Sequence, residues 1–237
     1  MPLEPYLRAE EITRHYRRGP HTVMALDRVT IEVGRGEFLS VVGSSGSGKT
    51  TLLNLLAGLD SPTSGRVYLE QSALSGFSRR QLASYRAHKV GMIFQSFNLI
   101  GHYTALQNVE TALLFNGTPP RQRKHLAMTI LESLGLADRV THRPADLSGG
   151  EQQRVAIARA IVKKPEIIFA DEPTGNLDYE NAEQIISLLT ALNHEGLTIV
   201  MVTHNLELAR LHARRTIRLK YGRVVPESPS GKGGERP

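Results

Sequence analysis

The stretch Gly43-Ser-Ser-Gly-Ser-Gly-Lys49-Thr50 decides the fold of this chain. Its spacing, G-x-x-x-x-G-K-S/T, is typical of a loop that binds phosphate groups. Residues 38–42 before it form a short apolar run that suits a buried strand, and residues 51–57 after it suit a helix. A chance glycine-serine linker would not have a strand on one side and a helix on the other. The context therefore favours a phosphate loop.

The chemistry of such a loop needs these residue types. Glycines allow a tight turn that directs backbone N–H groups inward, and the following helix presents its positive end to the same anion. Lys49 supplies a cation for the outer phosphates, and the Thr50 hydroxyl suits a magnesium ion. The residues that we predict to contact a nucleoside triphosphate here are Gly43, Ser44, Ser45, Gly46, Ser47, Gly48, Lys49, Thr50 and Thr51.

Composition limits the possible classes of protein. The chain has 237 residues, 40% of them hydrophobic, and no apolar run long enough to span a membrane, so we expect no membrane segment. The absence of cysteine excludes disulfides and thiolate metal sites, and it fits a reducing compartment. A net charge of +6 fits a nucleic-acid surface, a face near anionic lipid headgroups or ordinary surface charge.

Three further apolar runs end in polar residues that suit catalysis. Gln95 follows one run, Asp171 and Glu172 end the next, and His204 follows the last. The carboxyl ends of parallel strands lie at the edge where such sheets bind ligands. There Asp171 could hold magnesium and Glu172 could act as a general base. Adjacent carboxylates could instead cap the helix that follows them.

Two other positions have a structural and a functional interpretation. Tyr16 precedes the loop on a predicted strand, where its ring could stack on adenine or pack within the sheet. Ser148 and Glu151 match the S-x-x-E capping box of a helix that we expect to end near Lys163. The Ser148 hydroxyl and the N–H groups of Gly149 and Gly150 would also form a second anion site. Two such sites per chain suit a head-to-tail pair.

These elements predict an α/β fold. We expect a mostly parallel sheet around the phosphate loop, a small antiparallel sheet formed by the N-terminal strands, and an inserted helical lobe over about residues 96–160. One domain would cover residues 5–227. Residues 228–237 contain little that could be buried and are predicted to be disordered.

Taken together, the motifs resemble those of an ATP-binding cassette (ABC) ATPase over residues 5–225. The order is phosphate loop, Gln95, Leu147-Ser-Gly-Gly-Glu151, the acidic strand end, Asp178 and His204, and the Leu-Ser-Gly-Gly string is highly specific. The resemblance implies a homodimer with two ATP molecules sandwiched head-to-tail between phosphate loops and signature strings.

The resemblance also implies a role for each residue. Tyr16 would stack on adenine, while Thr50, Gln95 and Asp171 would hold Mg²⁺. Glu172 would be the catalytic base, with Lys49, Gln95 and His204 assisting at the γ-phosphate. In the second chain, ATP would be contacted by Ser148, Gly149, Gly150 and Glu151, and by Asp178, which would signal across the dimer.

A finer resemblance rests on Ala170-Asp-Glu-Pro-Thr-Gly-Asn-Leu-Asp178 and Phe94-Gln-Ser-Phe-Asn-Leu99. These are similar to the subgroup that contains the lipoprotein-releasing ATPase LolD, the macrolide and peptide exporter MacB and the division protein FtsE. It implies a peripheral ATPase on the cytoplasmic face of the inner membrane, acting on a separate permease for lipoprotein release or macrolide or peptide export. The alternatives are an FtsE-like regulator of a cell-envelope partner and a nucleic-acid ATPase. One cassette without zinc or coiled-coil insertions argues against the last, so we expect no nucleic-acid partner.

Overall fold

The computed structural model describes residues 5–225. Its smaller sheet has four antiparallel strands in the order β2-β1-β4-β5. Their bounds are β1 Leu7–Arg18, β2 His21–Val33, β4 Ser64–Leu69 and β5 Ser72–Ala73. β1 and β2 are long and irregularly paired, because their ladder contains several register shifts. This sheet is the antiparallel part predicted from the alternating N-terminal pattern.

The larger sheet has six strands in the order β10-β9-β3-β8-β7-β6. Their bounds are β3 Phe38–Val42, β6 Val90–Phe94, β7 Ile167–Asp171, β8 Thr198–Thr203, β9 Arg215–Lys220 and β10 Arg223–Val225. All neighbours are parallel except β9 and β10, which form an antiparallel hairpin. The phosphate loop therefore leaves the sheet from an interior strand, flanked by β8 and β9.

Seven α-helices lie within the described residues. Their bounds are α1 Lys49–Leu56, α2 Arg79–His88, α3 Ala105–Phe115, α4 Pro120–Ser133, α5 Gly149–Ile161, α6 Tyr179–His194 and α7 Leu206–His212. None of the helices between residues 5 and 225 combines the length and apolar content that crossing a membrane requires. α5 ends at Ile161, so the predicted end near Lys163 was about half a turn too late.

Alternate residues of the parallel strands enter two different cores. In β7, Ile167 and Phe169 pack with the small sheet and α1, whereas Ile168 and Ala170 pack with the helices on the opposite face. Both faces are buried, which is why the strand reads as a continuous apolar run. The predicted α/β class, with its parallel and antiparallel sheets and helical part, is confirmed. The predicted tail, residues 228–237, lies outside the described residues.

Candidate nucleotide site

The phosphate loop is built around the buried ammonium group of Lys49. Its Nζ donates hydrogen bonds to the backbone oxygens of Gly43 at 2.8 Å and Ser44 at 3.2 Å. Lys49 is only 7% exposed, so the loop closes over the aliphatic part of the side chain. The loop therefore already encircles the cation that an incoming phosphate would meet.

Two glycines are required by close backbone contacts of the loop. Gly48 has a φ of +102°, and a Cβ atom there would lie 2.4 Å from the backbone oxygen of Ala25 in β2. A Cβ on Gly43 would lie 2.4 Å from the oxygen of Leu219 in β9. The N–H of Gly222, between β9 and β10, also donates to the oxygen of Ser47 at 3.0 Å. The loop is thus wedged between the small sheet and the C-terminal hairpin.

Thr50 and Asp171 are in contact with each other, and Gln95, the third residue predicted to hold magnesium, lines the same cavity. The Thr50 hydroxyl donates to Asp171 Oδ1 at 3.0 Å. Burial raises the pKa of the Asp171 carboxyl, and the neighbouring charge of Glu172 adds to the increase. Such a carboxylate favours a cation beside it. One hydroxyl and one carboxylate fit Mg²⁺, which is commonly held by one or two carboxylates together with phosphate oxygens and water. No cluster of three or more His, Cys, Asp or Glu side chains suited to a metal occurs in the described part of the chain.

Glu172 lies directly after β7 with a φ of +47°, a backbone conformation that is uncommon outside glycine. Its Oε1 lies 3.4 Å from Lys49 Nζ, and its Oε2 lies 2.9 Å from His204 Nδ1. The His204 backbone N–H also donates to Oε2 at 3.1 Å. The left-handed turn thus directs the carboxylate between the phosphate loop and the residue after β8.

These groups surround one cavity of about 740 Å³. The predicted residues that line it are Tyr16, Ser45, Gly46, Ser47, Gly48, Lys49, Thr50, Thr51, Gln95, Asp171, Glu172 and His204. Val23, Met24 and Ala25 of β2 also line it and were not predicted from the sequence. Val23 lies opposite Tyr16 in the β1–β2 ladder. Predicting that Val23 lines the cavity would therefore have required the pairing register of the two strands.

Tyr16 borders this cavity and is 37% exposed. Its hydroxyl donates to Asp60 Oδ2 at 2.8 Å, and the Arg14 guanidinium lies 4.7 Å from the ring centre. The ring is thus fixed at its edge and on one face by polar neighbours. Stacking of an adenine on the ring remains a prediction.

The Ser148 turn, residues 148–151, does not line the cavity. Ser148 Oγ accepts the Glu151 N–H at 3.3 Å, and Ser148 N–H donates to Glu151 Oε2 at 2.8 Å, which is the predicted capping box. The backbone N–H of Ser148 and the Arg139 side chain lower the pKa of Glu151. In helix geometry the first N–H groups, here those of Gly149 and Gly150, have no partner within the helix. An anion at this end of the helix would meet these donors.

Asp178 caps α6, since its carboxylate accepts hydrogen bonds from the backbone and side chain of Asn181. A Cβ atom on Gly150 would lie 2.2 Å from Asn181 Oδ1, so α5 and α6 meet closely beside the Ser148 turn. Asp178 therefore lies with the Ser148 turn and is absent from the lining of the cavity. Most predicted site residues thus fall into two groups, one around the cavity and one at the start of α5 and α6. Gly43 and Ser44 are absent from the lining, although their backbone oxygens accept hydrogen bonds from Lys49.

A family model described as ABC transporter matches residues 26–175, which is more than half of the chain. The chain belongs to the ABC transporter family. An uncharacterized ABC transporter ATP-binding protein of Thermotoga maritima is 46% identical over 214 residues, 90% of this chain and 91% of the relative. The macrolide export ATP-binding/permease protein MacB of Vibrio parahaemolyticus is 42% identical over 222 residues, 94% of this chain. Only 34% of that MacB protein is covered, so this cassette spans about a third of its length.

The solved structures agree with this family. The ATP-binding cassette MJ0796, in a dimeric post-hydrolysis state bound to ADP and Pi, superposes with a TM-score of 0.85. Its sequence is 41% identical, and the match covers 92% of this cassette and 96% of that one. At this identity the likeness extends beyond fold class to the family of ATP-binding ABC proteins. The resemblance found in the motifs is thus confirmed.

Proposed function

We propose that this ABC transporter ATP-binding subunit hydrolyses ATP and uses the reaction to drive a membrane permease. The observation that carries the proposal is the position of Glu172. Its carboxylate faces the phosphate-loop cavity and is held between Lys49 at 3.4 Å and His204 at 2.9 Å. A base at this position would act on a water molecule beside the outermost phosphate.

The hydrolytic step follows from these groups. A water oxygen attacks the γ-phosphorus while the bond to the bridging oxygen of ADP breaks, and the water proton passes to Glu172. Lys49 and the backbone N–H groups of the loop stabilise the charge that develops on the phosphate oxygens. His204 holds the carboxylate in place and contacts the γ-phosphate. A magnesium ion at Thr50, Gln95 and Asp171 would neutralise phosphate charge when bound.

A second copy of the chain would complete the site. The Ser148 turn offers a hydroxyl and helix-terminal N–H groups but lies outside the cavity. A head-to-tail partner would place this anion site against the γ-phosphate bound by the first chain. The dimeric cassette MJ0796, bound to ADP and Pi, supports a dimer as the working unit. Asp178 would then contact the partner beside the nucleotide.

We assign the membrane partner to the class that serves macrolide or peptide export or lipoprotein release. The MacB relative supports this class, because its name joins an ATP-binding part to a permease. The Thermotoga relative, of which the chain covers 91%, is named as an ATP-binding protein alone, which supports a permease on a separate polypeptide. The ATPase would then sit on the cytoplasmic face of the inner membrane. We also propose that residues 5–227 form the nucleotide-binding domain, with residues 96–160 as its helical lobe.

The Glu172→Gln variant tests the transport assignment. It would be affinity-purified with ATP from detergent-solubilised membranes of the native host, and co-purified proteins would be identified by mass spectrometry. Glu180→Gln, which alters an exposed carboxylate in the first turn of α6, serves as the matched control. A permease recovered with Glu172→Gln would support the proposal, and Glu180→Gln should recover the same protein. Nucleic acid or ribosomal proteins in place of a membrane protein would contradict it, and a partner that activates cell-wall hydrolysis would favour the FtsE-like role.

A further inference from the structure

Gln95 is held by the side chain of Asn176, a residue for which the sequence motifs predicted no role in the site. The Nδ2 group of Asn176 donates to the backbone oxygen of Gln95 at 2.9 Å, and Gln95 Nε2 lies 3.4 Å from Asn176 Oδ1. One amide therefore contacts both the main chain and the side chain of Gln95. Asn176 lies in the loop between Glu172 and α6, 81 residues away in sequence.

The neighbouring glycine shows how closely this loop packs on Gln95. A Cβ atom on Gly175 would lie 2.7 Å from Gln95 Nε2 and 3.1 Å from its Cδ. The backbone of the loop thus lies against the Gln95 side chain, and a larger residue would displace it. The loop that begins at Glu172 therefore limits where the Gln95 amide can point.

The residues that follow Gln95 are held by a different contact. Arg159 of α5 donates to the backbone oxygens of Phe97 at 2.8 Å and Asn98 at 2.5 Å. Both residues have positive φ angles, 58° and 49°, which residues other than glycine rarely adopt. Arg159 thus holds the residues after Gln95, whereas the Asn176 amide contacts Gln95 itself.

We propose that Asn176 is a positioning residue that orients Gln95 toward the nucleotide and couples it to the loop carrying Glu172. The inference rests on the proposed function, because it assumes that Gln95 acts in hydrolysis. Since Asn176 and Glu172 belong to one loop, a displacement of that loop would move the base and release Gln95 together. The proposed base and the proposed magnesium ligand would then be placed by the same segment.

A double-mutant cycle tests this coupling. ATP turnover would be measured for the wild type, Asn176→Ala, Gln95→Ala and the double variant, with ATP affinity measured calorimetrically in parallel. Losing one pair of hydrogen bonds should lower kcat about 2- to 10-fold. For Asn176→Ala, ATP affinity should stay within about 2-fold, since Asn176 does not line the cavity. Asn116→Ala, which alters an asparagine at the end of α3, is the matched control.

The expected result is that Asn176→Ala lowers kcat less once the Gln95 side chain has been removed, because only the hydrogen bond to the backbone oxygen of residue 95 is then lost. Losses that multiply in the double variant would overturn the inference, as would wild-type kcat in Asn176→Ala. A Gln95→Ala variant with wild-type kcat would contradict the role of Gln95 in the proposed function and this inference with it. Loss of activity confined to Asn176→Ala and absent from Gln95→Ala would show a separate role for Asn176, and would also overturn the coupling.

Discussion

The phosphate-loop cavity and the Ser148 turn are both suited to anions, yet they differ in how complete they are. Around the cavity, cation, hydroxyl and carboxylates already contact one another, as the pairs Lys49–Glu172 and Thr50–Asp171 show. In the Ser148 turn the capping box joins the Ser148 hydroxyl and the Glu151 carboxylate, whereas the first N–H groups of α5 have no partner within the helix. We therefore expect that one chain contains the chemistry and that the turn contributes only when a second chain presents it.

The largest effect is expected when the proposed base at the phosphate-loop cavity is replaced. Glu172→Gln keeps the shape of the side chain but cannot accept the water proton, so turnover should fall by about 10²–10⁴-fold. ATP should still bind, and the variant should accumulate as a dimer. Phosphate release and size-exclusion chromatography with ATP measure the two results. Wild-type turnover would remove Glu172 from its proposed role.

A smaller effect is expected at the magnesium pair. Asp171→Asn removes the charge beside Thr50, and magnesium affinity should fall by at least about 10-fold. The Mg²⁺ concentration at half-maximal turnover, measured at saturating ATP, would report the loss. The raised pKa of Asp171 adds a pH dependence, because protonation on acidification should weaken metal binding in the wild type but not in Asp171→Asn. Equal Mg²⁺ titration curves for both proteins would contradict this assignment.

Gly149→Ala tests whether the Ser148 turn acts outside its own chain. Within the chain an added Cβ would meet Leu177 at 3.4 Å, an ordinary contact, and alanine favours a helix over glycine. Thermal stability should therefore be kept or raised. Close approach of a partner's nucleotide would still be disturbed, and turnover should fall by about 10-fold. Gly76→Ala, where nothing lies near the added atom, is the control. Unchanged turnover in Gly149→Ala would argue against a role for the turn.

The smallest effect concerns the stability of the turn itself. The pKa of Glu151 is lowered from its ordinary value of 4.5, chiefly by the Ser148 N–H and by Arg139. A lowered pKa in the folded protein adds stability above pH 4.5 that is lost as pH falls below it. Glu151→Gln should therefore flatten the fall of the melting temperature as the pH drops below 4.5. A profile as steep as that of the wild type would show that this carboxylate contributes nothing.

The parts that the sequence predicted are those set by short-range patterns. β3, the phosphate loop and α1 are contiguous, and Ser148 lies three residues from Glu151, so motif and structure coincide. The strand ends at Gln95 and Asp171 were also predictable, because apolar runs stop there. In these segments local propensity and tertiary packing favour the same structure.

The parts that were missed depend on contacts distant in sequence. Asp60 contacts Tyr16, 44 residues away in sequence, and Asn176 contacts Gln95, 81 residues away.

α2 was not predicted because it is mostly polar, although Ser78 and Gln81 form a capping box visible in the sequence. The position of β3 between β8 and β9 follows from sheet order, which no local pattern specifies.

Mixing two inactive variants tests the split between cavity and turn most directly. Lys49→Ala disables the cavity, and Gly149→Asp puts a negative charge where the partner's phosphates would lie while suiting a helix N-terminus. In a mixed dimer one composite site keeps both Lys49 and Gly149. ATP hydrolysis should therefore reappear when the two proteins, carrying different affinity tags, are combined. A mixed dimer recovered with both tags but no more active than its parents would contradict a nucleotide site shared between two chains.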